Sequence, residues 1–146
     1  MAPIVNSVEV AKPSAVTFDY AIDPSQFHKW QSGLVAGRMD RDAVTAGAKC
    51  ITTRRIGGRA REITSEITAF DPPRHWADHG LDGPIRGIVQ VDVEALDDDT
   101  RSRVTISLDF EGHGIGKLLI PLMVRRQAER EMPANMRRLK EQLESL

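Results

Sequence analysis

The chain has 146 residues, 40% of them hydrophobic and 28% charged, with a formal net charge of −1. That is ordinary globular composition at one domain's length, which excludes a disordered chain and a second sizeable core. The near-neutral charge argues against a nucleic-acid binder that relies on phosphate neutralisation. A single cysteine, Cys50, excludes an intramolecular disulfide framework and a multi-cysteine zinc site, and fits a reducing, cytoplasmic setting.

The N-terminus carries no basic segment followed by a long apolar stretch, so no signal peptide is expected. Ile4 to Val10 predicts a strand. Pro13 and Ser14 suit a helix start, and a helical stretch runs to about Ala21. Asp23-Pro24-Ser25 starts a second short helix, with Phe27 and Trp30 three apart on one face, and Gly33 ends it. From residue 34 to 110 the period becomes two. Leu34 to Met39 and Cys50 to Ile56 predict strands. Gly57-Gly58 then Arg59 to Phe70 predicts a hairpin, because both glycines accept positive φ. Asp71-Pro72-Pro73 is a turn into His75 to Gly80, and Leu81-Asp82-Gly83-Pro84 is another. Ile85 to Leu96 alternates, Asp97 to Thr100 turns the chain, and Arg103 to Phe110 alternates again. Hairpins in series predict an antiparallel meander with one apolar face.

After Gly112-His113-Gly114-Ile115-Gly116 the period is helical. Leu118, Leu122, Met132, Met136, Leu139, Leu143 and Leu146 predict a long amphipathic helix, with a kink at Pro133. The apolar run Leu118 to Val124 is seven residues long against the roughly 20 a bilayer needs, so stable membrane insertion is not expected. The layout is α+β, and only the final helix is long enough to cover the sheet's apolar face.

This order resembles the helix-grip superfamily, also called SRPBCC or START-like, which includes plant pollen allergens, START lipid-transfer domains and polyketide cyclase/dehydrase-like proteins. Glu66-Ile67-Thr68-Ala69-Phe70-Asp71-Pro72-Pro73-Arg74 is similar to the strand-to-turn segment of the bacterial polyketide cyclase-like branch. Val8-Glu9-Val10 with Pro13, Val16 and Phe18, then Phe27-His28-Lys29-Trp30, is similar to its opening. The resemblance implies one domain over residues 1–146, with a curved sheet of about seven strands around the last helix and a cavity between them. Fold analogy alone names no reaction.

Strand parity selects the polar side chains that face such a cavity. Trp76 and Asp78 share a face. So do Ile63, Ser65 and Ile67, and so do Cys50, Thr52, Arg54 and Ile56. An acid and a guanidinium facing one apolar space should pair or serve a ligand. The competing reading puts Arg54 or Asp78 in water at the sheet edge, or has a bulge reverse the parity. Trp30, Trp76, Phe110, Leu122 and Met136 are the expected walls, and Arg54, Ser65 and Asp78 the expected polar contacts. On the last helix, Arg125 or Arg126 with Glu129 interrupts the apolar stripe, and Arg125 with Glu129 reads as an intrahelical pair.

Other chemistry is poorly supported. His75 and His79 lie about 13 Å apart along a strand, too far for one metal, and no HExxH occurs, so no metal and no cofactor are expected. No Gly-x-Ser-x-Gly occurs. The glycines before Lys117 lack the phosphate-loop spacing and suit a turn. Asp92 to Glu111 holds seven acids and two bases, and Lys117 to Lys140 seven bases and two acids, read as solvated faces. The leading expectation is binding of a small hydrophobic molecule of the lipid, polyketide or isoprenoid class, as a monomer or homodimer without nucleic acid. The alternatives are a cyclase or dehydratase using Asp78 as base and Arg54 as enolate stabiliser, and a protein-interaction module.

Overall fold

The computed structural model describes residues 2–56, 58–112 and 120–146. Seven described strands form one antiparallel sheet: β1 (Ile4–Val10), β2 (Leu34–Met39), β3 (Lys49–Ile56), β4 (Arg59–Asp71), β5 (His75–Gly80), β6 (Ile85–Leu96) and β7 (Arg101–Gly112). Their spatial order is β1-β7-β6-β5-β4-β3-β2, so β2 to β7 are a meander and β1 returns to its far edge. Between β1 and β2 stand helix α1 (Ser14–Ala21) and a 3₁₀ helix (Pro24–Lys29), and α2 (Ile120–Glu144) follows the sheet. This is the expected α+β helix-grip arrangement. The hairpin glycine Gly57 and the glycine-rich stretch from His113 lie outside the described residues, whereas Gly58 has the positive φ, +81°, that its turn requires.

Side-chain direction along each strand follows the period-two pattern. Val91 and Val93 of β6 and Val104 and Ile106 of β7 point inward and are buried. They are covered by α1, which packs on β6 and β7, and by α2, which packs on β1 and β7. Met132, Met136, Leu139 and Leu143 form the buried stripe of α2 at spacings of three and four. Pro133 stands exposed inside α2, which continues as one helix across it although Pro133 has no N–H to donate to Glu129.

Two local devices shape the elements near the site. The β4–β5 register shifts between Ile67 and Ala69, so Ile67 faces Asp78 while Phe70 faces Trp76. The extra residue lets both Ile67 and Phe70 join the core, Phe70 with its ring 6.2 Å from that of Phe18. At the other end, Asp97, Asp98 and Asp99 all take positive φ in the β6–β7 turn, which Asp tolerates better than most residues. That turn aims Asp99 at α1. The Ser14 amide donates to Asp99 Oδ1 at 2.7 Å, supplying the cap that Pro13, at the N-cap position, cannot.

The first buried described side chain of α2 is Arg125, and here the expected intrahelical pair with Glu129 is not what forms. Arg125 is buried and donates to Asp109 Oδ1 of β7 at 2.6 Å and to the carbonyl oxygen of Ala2. A buried guanidinium finds its partners across the interface because a solvated acid on its own helix would not offset its desolvation. Arg125→Met keeps the aliphatic packing and leaves Asp109, itself partly solvated, free to rehydrate. Urea unfolding should show a loss of about 1–2 kcal/mol; an unchanged midpoint would mean the bond contributes nothing to holding α2 on the sheet.

Candidate functional site

The inner face of the sheet divides into two halves. Under α1 and the C-terminal part of α2 the inward Trp76, Val91, Val93, Val104 and Ile106 are buried, with Val8 and Phe70 packed against them partly buried. Further along the same strands, Arg54, Ile63, Ser65, Val89, Leu108 and Phe110 are only half-buried. This second half is the open part of the inner face, called the cleft below. Asp78 lies on the boundary, 8% exposed, in a cross-sheet row with Ile67, Val89 and Leu108. One row deeper, Trp76 pairs with Val91, which pairs in turn with Ile106, and all three are buried.

Ser65 Oγ donates to Asp78 Oδ2 at 2.8 Å. Arg54 and Asp78 make no ion pair within 4.0 Å among the described residues; Arg54 Nη2 donates instead to Gln31 Oε1 at 3.0 Å. Of the two expected arrangements, pairing with each other or service to a ligand, the direct Arg54–Asp78 pair does not form among the described residues. The two strands that carry them are separated by β4, so the charges share the cleft and act on each other through it. Burial pushes the Asp78 carboxyl up to about 6, against the opposing pull of the Ser65 hydrogen bond and of the Arg54 and His79 charges. Burial also lowers the guanidinium of Arg54, which Asp78, Cys50 and Glu131 of α2 oppose. The Cys50 thiol is pushed up to about 12 by burial and by Asp78, so it is neutral and a poor nucleophile near pH 7.

The remaining sequence candidates are dispersed. Trp30 and Trp76 are buried, and their indole N–H groups have no hydrogen-bond partner among the described residues. Phe110 is half-buried on the open part of the inner face, and Met136 belongs to the buried stripe of α2. Leu122, expected at the centre of the cover, is 40% exposed, with its neighbour Met123 at 70%. The reason is positional: among the described side chains of α2 the buried stripe begins at Arg125, and Leu122 and Met123 precede it. A recess of about 570 Å³ lies on the exposed side of α2 between Met123, Arg126, Gln127, Glu129 and Arg130, and shares no described residue with the group around Asp78. Gln31 went unnoticed in the sequence, where nothing but its place after Trp30 distinguished it.

His75 and His79 turn to the outer face, where His75 Nδ1 meets Asp92 at 2.8 Å and His79 Nε2 meets Glu111 at 2.7 Å. No cluster of three His, Cys, Asp or Glu side chains able to hold a metal occurs among the described residues, and no described helix is long and apolar enough to cross a membrane.

A curled antiparallel sheet around a long helix, its apolar inner face broken by a few polar groups, defines the helix-grip class. The chain belongs to the polyketide cyclase / dehydrase and lipid transport family, whose sequence model matches residues 1–144. Among solved structures it is similar to the Zhui aromatase/cyclase from Streptomyces sp. R1128, at 17% identity and TM-score 0.78, covering 97% of this chain and 93% of that one. A START superfamily protein from Mycobacterium smegmatis is similar at 14% identity and TM-score 0.78, with 99% of each chain covered. A protein from Thermus thermophilus is similar at 12% identity and TM-score 0.76, covering 98% of this chain and 97% of that one. At these identities the likeness concerns the fold. No curated protein matches the chain.

Proposed function

We propose that this protein binds a small hydrophobic molecule in the cleft between the inner face of the sheet and α2. The observation that carries the reading is the split of the inner face, closed and buried on one side of Asp78 and half-exposed on the other. Apolar wall area from Ile63, Val89, Leu108 and Phe110 supplies affinity, and Arg54, Ser65 and Asp78 orient the ligand. Membership of a polyketide cyclase / dehydrase and lipid transport family supports a hydrophobic-ligand or cyclase role.

A neutral fluorescent naphthyl ketone is expected to bind saturably, with a rise in its own emission. Val89→Trp, beside Asp78 in the cross-sheet row, should fill the cleft and weaken binding by about tenfold or more, since a bulky side chain removes the contact area that gives affinity. Equal affinity of the wild type and the filled variant, with both folded by circular dichroism, would remove the cleft from the account.

A second reading has one specific observation in its favour: a carboxyl titrating at about 6 beside a guanidinium is suited to acid–base work near neutral pH. In that reading Asp78 takes the proton α to a substrate carbonyl, the electron pair passes to the carbonyl oxygen, and Arg54 stabilises the enolate charge. Exchange of that α-proton for solvent deuterium, present in the wild type and absent in Asp78→Asn, separates a cyclase-type enzyme from a carrier.

A further inference from the structure

Asp78, 8% exposed, stands where the closed core meets the half-exposed part of the inner face, so whatever fills that part covers what remains of its exposure. From this geometry we propose that ligand uptake is proton-linked: an apolar ligand with a hydrogen-bond-accepting oxygen enters together with a proton on Asp78, and leaves as that proton is lost. The inference rests on the binding reading above and concerns how the same site is regulated.

The groups around the carboxyl leave little to hold it as an ion once the cleft is filled. From β4 it receives one hydrogen bond, from Ser65, beside apolar Ile67. β6 presents Val89 at the paired position. β3 presents Arg54 and the neutral Cys50 thiol, and the Arg54 guanidinium is engaged by Gln31 and balanced by Glu131 of α2. On β5 itself, His79 is turned outward to Glu111. One carboxylate oxygen, Oδ1, accepts no hydrogen bond from a described residue. Protonated, the carboxyl becomes a donor to a ligand oxygen, a role the carboxylate cannot fill. Ionised and covered by an apolar ligand, it would be a desolvated charge with a single hydrogen bond. The free protein already holds the carboxyl at about 6, so the linkage operates close to neutral pH.

Affinity for the neutral naphthyl ketone, whose own charge is constant between pH 5 and 8.5, tests this directly. Binding should weaken by about tenfold from pH 5 to pH 8.5 for each further pH unit that the bound ligand adds to the titration point of Asp78. Calorimetry near pH 7 in two buffers of different ionisation enthalpy should show uptake of a fraction of one proton per ligand. Asp78→Asn imitates the protonated group and should bind at every pH as tightly as the wild type does at pH 5. His79→Gln should keep the wild-type slope. A flat profile in the wild type, a slope that survives Asp78→Asn, or a slope that disappears with His79→Gln would each overturn the linkage while leaving ligand binding intact. Absence of saturable binding at every pH would overturn the binding reading, and the linkage with it.

Discussion

A chain ending at residue 116 is expected to lose cooperative unfolding altogether. It lacks α2, and with it Met132, Met136, Leu139 and Leu143, all buried in the common core. Burying four such side chains contributes roughly 6–12 kcal/mol at about 1.5–3 kcal/mol each. The whole net stability of a domain this size is typically about 5–15 kcal/mol, so the loss is of the same order as the total. The faces of β1 and β7 that pack against α2 would also be left open to water. Thermal denaturation followed by circular dichroism should show a broad, sloping trace, and an apolar dye should bind before heating. A sharp two-state melt of a monomeric truncated chain would show that the sheet does not depend on α2 for its core.

Asp78→Asn is expected to stabilise the protein at neutral and alkaline pH, which is unusual for a change to a buried polar group. In the unfolded chain the carboxyl titrates at its ordinary 3.8, and in the folded protein at about 6. Below 3.8 both states carry the proton and the group is indifferent to folding. Between these values the folded state keeps a proton that the unfolded state has lost, so stability falls as pH rises. Above about 6 the full penalty is present, roughly 3 kcal/mol for a separation of about two pH units. Asparagine has the shape of the protonated acid and can still accept from Ser65. The variant should therefore match the wild type near pH 3 and exceed it by up to roughly 3 kcal/mol at pH 8. Urea unfolding across that range reads both limits. A variant less stable than the wild type at pH 8 would show that Arg54 holds Asp78 as an ion despite the absence of a direct pair. A residue that costs stability at the pH where it is ionised fits a group retained for what it does with a ligand.

Most of the architecture was legible because it rests on short-range patterns. The bounds of β1, α1, β2, β5 and β6 follow from turn residues and from alternation, which the sheet has no means to override once one face is buried. The same alternation placed Asp78, Ser65 and Arg54 on one face. What parity could not supply was reach. Whether Arg54 meets Asp78 depends on side-chain torsions and on Gln31, a residue in no regular element. Nor could it locate the irregularity between Ile67 and Ala69, which turns Phe70 into the core beside Phe18. Helical spacing failed in two instructive ways. It put Leu122 on the covering stripe by angle alone, although Leu122 and Met123 precede the point where the described side chains of α2 become buried. It offered Arg125 a neighbour four residues away, when the partner that matters, Asp109, lies 16 residues back in sequence and on another element.

The cap that Asp99 provides to α1 has a consequence for how the fold comes apart. The first turn of a two-turn helix is ordinarily the part that frays, since its amides lack partners within the helix. Here the Ser14 amide is bonded across 85 residues of sequence to a turn between the two longest neighbouring strands after β4. Opening that bond by local motion would require the helix to lift from β6 and β7, where Thr17 is also hydrogen-bonded to Ser102 at 2.7 Å in full burial. A short peripheral element is thereby tied to the cooperative unit of the central sheet at the end that carries the β6–β7 turn.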